Sequence, residues 1–134
     1  MTLVRIHAAD LTPDHLKWLR AITNLSDRGY EPKHLIQDEM LGGRQFFDIQ
    51  HEAGKGILVT EVIGHPAGRE LYVWGTAGEN APRVTGDVMI ALKEIARLWD
   101  CQWVGWRASR EGMVRLYQKY AGVSPEGKYF SVEV

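Results

Sequence analysis

Apolar and polar positions recur along nearly the whole chain, and their period changes often enough to mark separate elements. Leu3-Val4-Arg5-Ile6-His7 reads as a short opening strand with partial alternation, ended by Ala8-Ala9-Asp10. Thr12 then stands as an N-cap, with Pro13 at the first helical position, Asp14 in the first turn and Leu11 placed to staple onto Leu16. The helix this predicts turns Leu16, Leu19 and Ala21 or Ile22 inward, with Trp18 as a further candidate, and ends over Asn24 to Gly29. A second helix is expected from Pro32 to Leu41, burying Leu35, Ile36 and Met40, with Gly42-Gly43 as its stop. Gln45 to His51 and Gly56 to Ile63 read as strands, and Glu52 to Lys55 between them predicts an antiparallel hairpin.

Gly64 to Gly68, with Pro66 inside it, turns the chain into a third strand of this group, Leu71-Tyr72-Val73-Trp74. Gly75, Gly78, Asn80 and Pro82 break that run. A helix is expected from about Gly86 to Trp99, since Val88, Ala91, Leu92, Ile95, Ala96 and Trp99 recur at three- and four-residue spacing and Lys93, Glu94 and Arg97 occupy the other side. Gln102 to Arg107 reads as the next strand. Two strands joined by a helical crossover are most simply parallel neighbours. Ser109 caps a further short helix carrying Met113, Leu116, Tyr117 and Tyr120, closed by Gly122, and Lys128 to Val134 alternates as a final strand. The fold class predicted is α/β, a single domain with a mixed α+β sheet over residues 1–134.

At this point the residues resemble a known family. Arg83-Val84-Thr85-Gly86-Asp87-Val88, followed by helix, strand and Leu116-Tyr117-Gln118-Lys119, is similar to the core of the GNAT superfamily of acyl-CoA N-acyltransferases. That family carries Q/R-x-x-G-x-G/A at the start of its central helix and L-Y-x-K-x-G-F late in the chain. Arg83 and Gly86 match the first two fixed positions, and Val88 stands where Gly or Ala is usual. Tyr117 and Lys119 match the second motif, with Ala121 as an extra residue before Gly122 and Val123 in place of Phe. The order of predicted elements is the order the GNAT fold implies.

The resemblance implies acetyl-CoA as co-substrate, bound in a gap between the two parallel strands, and an amine acceptor that attacks the thioester directly. It implies a pyrophosphate site in the loop Arg83, Val84, Thr85, Gly86, Asp87 and Val88, where backbone N–H groups at a helix N-terminus meet an anion. In that loop the branched side chain of Val88 is expected to crowd the approach, and the carboxylate of Asp87 to repel phosphate unless it points into water or complements the helix dipole. Arg83 is either a phosphate contact or a solvated turn residue. Tyr117 falls on the general-acid position, a role that suits a hydroxyl still protonated near neutral pH. An inward aromatic on an amphipathic helix also reads as core, and Tyr120 is the competing acid. Glu70 and Glu61 are candidate bases, or else the outward half of alternating strands, with water as a third possibility. Trp74, Trp103 and Trp106 lie on the strands beside the gap, as core or as filling for it. Tyr30, His34 and Asp38 are the residues the first two helices offer an acceptor.

Composition narrows the partners. A net charge of -1 with scattered Lys and Arg gives no reason to expect nucleic acid. No run is long or apolar enough for a membrane span, and Met1 to His7 lacks a signal-peptide core, so a cytoplasmic setting is the expectation. The single Cys101 fits a reducing compartment and reads as a core thiol, and the five histidines show no metal-ligand spacing. A second reading is a non-catalytic GNAT-fold protein, such as a phage-encoded accessory or virion-associated component, that has lost acetyl-CoA binding. A homo-oligomer or a protein assembly is compatible with either.

Overall fold

The computed structural model, which describes residues 1–25, 29–107 and 129–134, runs β1 (Thr2–Ile6), a 3-10 turn (Ala8–Asp10), α1 (Pro13–Thr23), α2 (Pro32–Met40), β2 (Gln45–His51), β3 (Gly54–His65), β4 (Gly68–Gly78), α3 (Ala81–Leu98), β5 (Trp103–Arg107) and β6 (Tyr129–Glu133). Each strand lies beside the next in sequence, giving one sheet in the order β1-β2-β3-β4-β5-β6. All neighbours are antiparallel except β4 and β5, which pair in parallel because α3 carries the chain from one end of β4 back to the start of β5. The mixed single sheet and the parallel pair agree with the sequence reading. The helix expected after Ser109, with Tyr117 and Tyr120, lies outside the described residues.

Strand alternation gives the sheet two covered faces. Phe47, Ile49, Leu58, Leu71, Val73, Val104, Trp106 and Phe130 turn to one side and meet Val84, Val88, Met89, Leu92 and Ala96 of α3. Phe46, Ile57 and Val59 turn to the other and meet Leu19 and Ile22 of α1 and Leu35 of α2. Each such buried aliphatic contributes roughly 1.5–3 kcal/mol of transfer free energy.

The start of α1 follows its capping signal, with an unexpected partner. Thr12 Oγ1 accepts from the His15 amide at 3.2 Å, and His15 Nδ1 accepts from the Thr12 amide at 3.0 Å. The other ring nitrogen then donates to Asp48 Oδ1 at 2.7 Å. This reciprocal cap turns His15, Leu19 and Ile22 toward the sheet and leaves Leu16 42% exposed, so the expected staple residue faces water. In α2 the same thing happens: Glu39 is buried, accepting from the Ala8 amide at 3.1 Å and paired with His7 Nδ1 at 2.7 Å, while Met40 is 71% exposed. In both helices a polar residue with a fixed partner took the inward position from the apolar neighbour that spacing favoured.

Two boundaries move near the gap. β4 runs to Gly78, through glycines read as breakers, because those positions need a missing side chain: a Cβ on Gly75 would collide with Ile22, and one on Gly78 with the backbone of Lys55 and Gly56. α3 begins at Ala81, ahead of the expected Gly86, since Asn80 takes a left-handed conformation (φ 50°) as N-cap and Pro82 sits in the first turn, where its lack of an N–H costs little.

Candidate functional site

The parallel pair is short. β5 faces β4 only from Glu70–Trp103 to Val73–Trp106, and β4 continues from Trp74 to Gly78 past its last β5 partner while still paired to β3. Among the described residues the pairing therefore ends at Val73, and the β5-side edge of β4 beyond it has no strand partner among them. An unpaired edge inside a sheet offers its N–H and C=O groups to an extended ligand bearing amides. A bulge marks the same place: Thr60 opposes Val73 and Val59 opposes Gly75, so Trp74 is the extra residue.

The far side of this fork is the start of α3. Arg83, Val84, Thr85, Gly86, Asp87 and Val88 form its first turns rather than the entering loop that the sequence suggested. Amides from Thr85 onward are therefore committed to the helix ladder. Thr85 Oγ1 is bonded back to Ala81 O at 2.7 Å, and the Arg83 amide to Asn80 O at 2.9 Å. Val84 and Val88 point into the core beneath the helix, so the branched side chain of Val88 does not face an incoming ligand and the expected crowding is removed. Ala81, Pro82, Arg83 and Asp87 are exposed. Asp87 Oδ2 accepts from His51 Nε2 at 2.7 Å, which fixes its carboxylate.

On the sheet face that carries α1 and α2, a strip of polar side chains crosses β2 to β6. Arg44, at the foot of β2, is 8% exposed: its Nε donates to Asp38 Oδ2 at 2.9 Å, its Nη2 lies 3.7 Å from Glu61 Oε1, and its guanidinium carbon sits 4.7 Å from the centre of the Trp74 ring and 5.7 Å from that of Tyr30. Glu61 is cross-strand from Tyr72. Burial pushes the Tyr72 phenol above its ordinary range; the positive charge of Arg107 pulls back, and Glu70 and Glu61 add to the rise. Glu70 is 3% exposed, with Oε1 accepting from His65 Nε2 at 2.9 Å and Oε2 accepting from the Tyr129 hydroxyl. Burial, then the hydrogen bond and charge of Glu70, push Tyr129 up to about 12. Gly105 makes this contact sterically possible, since a Cβ there would sit on the Glu70 carboxylate and the Tyr129 hydroxyl.

The candidates of the sequence thus separate. Glu70 is an inward, fully partnered carboxylate rather than the exposed half of a strand, and Glu61 is the one nearer the bulge by register, opposite Tyr72. Tyr117 lies outside the described residues. Trp106 is core, stacked on Phe130; Trp103 packs on His65; Trp74 lies under Arg44. Cys101 is buried, and burial raises its thiol pKa, in keeping with a packed core sulfur. Arg44 and Tyr129 had no sequence signal: neither sits in a motif, and their partners Trp74 and Glu70 are distant in the chain. No helix among the described residues is long and apolar enough to cross a membrane.

Comparison by sequence finds no matching family model and no matching curated protein. Comparison by structure finds acetyltransferases. A ribosomal-protein-alanine N-acetyltransferase from Brucella melitensis superposes with a TM-score of 0.69 at 14% identity, over 97% of this chain and 98% of that one. A probable acetyltransferase also gives 0.69 at 13% identity, over 94% and 92%. A mutant of the toxin AtaT, bound to the C-terminus of the antitoxin AtaR and acetyl-CoA, gives 0.55 at 11% identity, over 98% and 92%. With its six-stranded mixed sheet, its parallel β4–β5 pair and this agreement over nearly the full length, the chain has the GNAT fold.

Proposed function

We propose that the protein is a GNAT-type N-acetyltransferase that moves an acetyl group from acetyl-CoA to an amine. The observation that carries this reading is the fork: β4 runs on past its last β5 partner among the described residues, with a bulge at its root and the N-terminal turn of α3 at its tip. The free edge of β4 at Trp74 to Gly78 suits the two amides of a pantetheine arm, and the start of α3 suits its pyrophosphate. Of the motif residues, Arg83 supplies a charged contact there, Val84 and Val88 anchor the turn to the sheet, and Thr85, Gly86 and Asp87 flank it. Acetyl-CoA in the AtaT relative supports the choice of donor.

In this reading the acceptor nitrogen attacks the thioester carbon at the bulge, the C–S bond breaks, and the Tyr117 hydroxyl gives its proton to the departing thiolate. The proton lost by the amine passes to a carboxylate on the polar face. Glu61 is favoured for it by register. Glu70, whose two oxygens are held by His65 and Tyr129, then serves to fix β6 and Tyr129 against β4, with proton uptake relayed through His65 as its alternative role. The inward Val88 side chain weakens one of the arguments for a chain that has lost its cofactor, the others being Asp87 and the tryptophans beside the gap.

Calorimetric titration with acetyl-CoA and CoA tests the reading. Binding is expected. Failure at millimolar donor, an affinity weaker than about -4 kcal/mol, would end the case for a transferase. Where the donor binds, Tyr117→Phe should lower turnover roughly 10²-fold or more with donor affinity retained.

A further inference from the structure

We propose that Arg44, Glu61, Tyr30 and Trp74 form an acceptor subsite for a primary α-amine with a neighbouring carbonyl or carboxylate, a specification that rests on the transferase reading above. Arg44 carries the argument. Its Nε is satisfied by Asp38, but Nη1 is buried and has no hydrogen-bond partner. A buried guanidinium N–H without an acceptor is costly, and few native side chains leave one so. Trp74 and Tyr30 crowd the guanidinium, their ring centres 4.7 and 5.7 Å from its carbon, and an acceptor for Nη1 must lie in the plane of its fork. Carboxylate and carbonyl oxygens meet that demand; an alkyl group does not.

Two further features define the ligand. Glu61 Oε1, at 3.7 Å from Arg44 Nη2, is beyond hydrogen-bond distance, so its carboxylate retains capacity for a second cation. Trp74, against which Arg44 stacks, is the bulged residue at the root of the fork, which puts the subsite beside the point where the thioester would be attacked. An ammonium on Glu61 with its adjacent carbonyl oxygen on Arg44 Nη1 would hold the nitrogen next to that point, with the first side chain against the aromatic rings. A simple alkylamine would fill the Glu61 half and leave Nη1 orphaned, and a site with an unpaired donor discriminates against such a ligand.

The test is a calorimetric series on the full-length protein, with and without CoA, using a short alanyl peptide, free alanine and isopropylamine, and repeated on Arg44→Lys and Glu61→Gln. The peptide or alanine should bind about tenfold or more tighter than isopropylamine, and Arg44→Lys, which keeps the charge and loses the fork, should abolish that ratio. Preference for the peptide assigns the subsite to a chain N-terminus, and preference for alanine to a free amino acid. Equal affinities for all three in the wild type, or no binding of any of them, overturn the proposal even if Arg44→Lys does not fold. A ratio that survives in Arg44→Lys also overturns it, because the preference would then not depend on Nη1. A parallel acetyl-CoA titration separates the two readings: loss of donor binding with the acceptor series intact strikes the transferase assignment, and the reverse strikes the subsite.

Discussion

The two faces of this sheet are built from the same strands and do different work. Against α3 the strands present Leu58, Leu71, Val73, Val104 and Trp106, a continuous apolar layer. Against α1 and α2 the apolar cluster is smaller, and the buried residues His15, Glu39, Arg44 and Glu70 lie on that side, whereas the α3 side holds the Cys101 thiol and the His51 ring. Burying a charge is unfavourable unless partners are fixed around it, so His15, Glu39, Arg44 and Glu70 each have an assigned acceptor or donor. The contrast teaches where the molecule keeps its chemistry. One face holds the fold, and the other accepts the expense of charge next to the fork.

Neighbouring residues on β4 give the sharpest test of that division. Leu71 and Tyr72 are adjacent and point to opposite faces. Leu71→Ala should lower unfolding free energy by about 2–5 kcal/mol in urea denaturation, because it opens a cavity in the apolar layer. Tyr72→Phe keeps the ring and removes a half-buried hydroxyl under the influence of Arg107, and should cost about 1.5 kcal/mol or less. Equal losses would dissolve the distinction between the faces.

Gly105→Ala comes next. The new methyl would push the Glu70 carboxylate off the Tyr129 hydroxyl, with an expected loss of roughly 1–3 kcal/mol. The same substitution in a Glu70→Ala background should cost clearly less, since the clashing group is gone. Additive losses in the double-mutant cycle would mean that Gly105 is required for its backbone alone.

How much of this was legible in the sequence differs between the same two faces. β2 was read to its ends, α1 was read from Thr12 and Pro13, and the parallel β4–β5 pair from the spacing of strand, helix and strand. Those are local signals: alternation, capping and crossover length. The apolar layer under α3 followed from the three- and four-residue recurrence of Val88, Leu92 and Ala96. The polar face was not legible, because its contacts join residues far apart: Arg44 to Trp74, Glu70 to Tyr129, His15 to Asp48. Periodicity ranks Leu16 over His15 and Met40 over Glu39, and only the distant partner reverses the ranking. The entry to α3 was placed late for a related reason. Asn80 and Pro82 are turn residues by composition, and they mark the start of this helix from outside and inside it respectively.

A smaller effect concerns alkaline pH. Tyr129 is held at about 12 in the folded protein against an ordinary value near 10, so the folded state keeps a proton that the unfolded chain gives up. Its contribution to stability is present below pH about 10 and is lost as the pH rises toward about 12. Tyr72, also raised, acts in the same direction. Urea midpoints should therefore fall across that window. Tyr129→Phe should flatten the fall without abolishing it. A fall of the same steepness in Tyr129→Phe would remove the Glu70–Tyr129 contact from the account of the polar face.

The smallest expected stability change sits at the tip of the fork, where the apolar face ends and the proposed donor site begins. Asp87 is more than half exposed and bonded to a buried His51 ring, whose other nitrogen accepts from the Ala53 amide at 2.9 Å. Asp87→Asn preserves an acceptor for His51 and removes only the charge, so stability should change by about 1 kcal/mol or less. Acetyl-CoA affinity should rise a few-fold, because a negative charge near the start of α3 opposes the incoming pyrophosphate. That gain should shrink as ionic strength is raised and the exposed charge is screened. Were the donor to bind Asp87→Asn no better than the wild type at low salt, the pyrophosphate would not lie near Asp87, and the free edge of β4 would have to hold the donor without the helix.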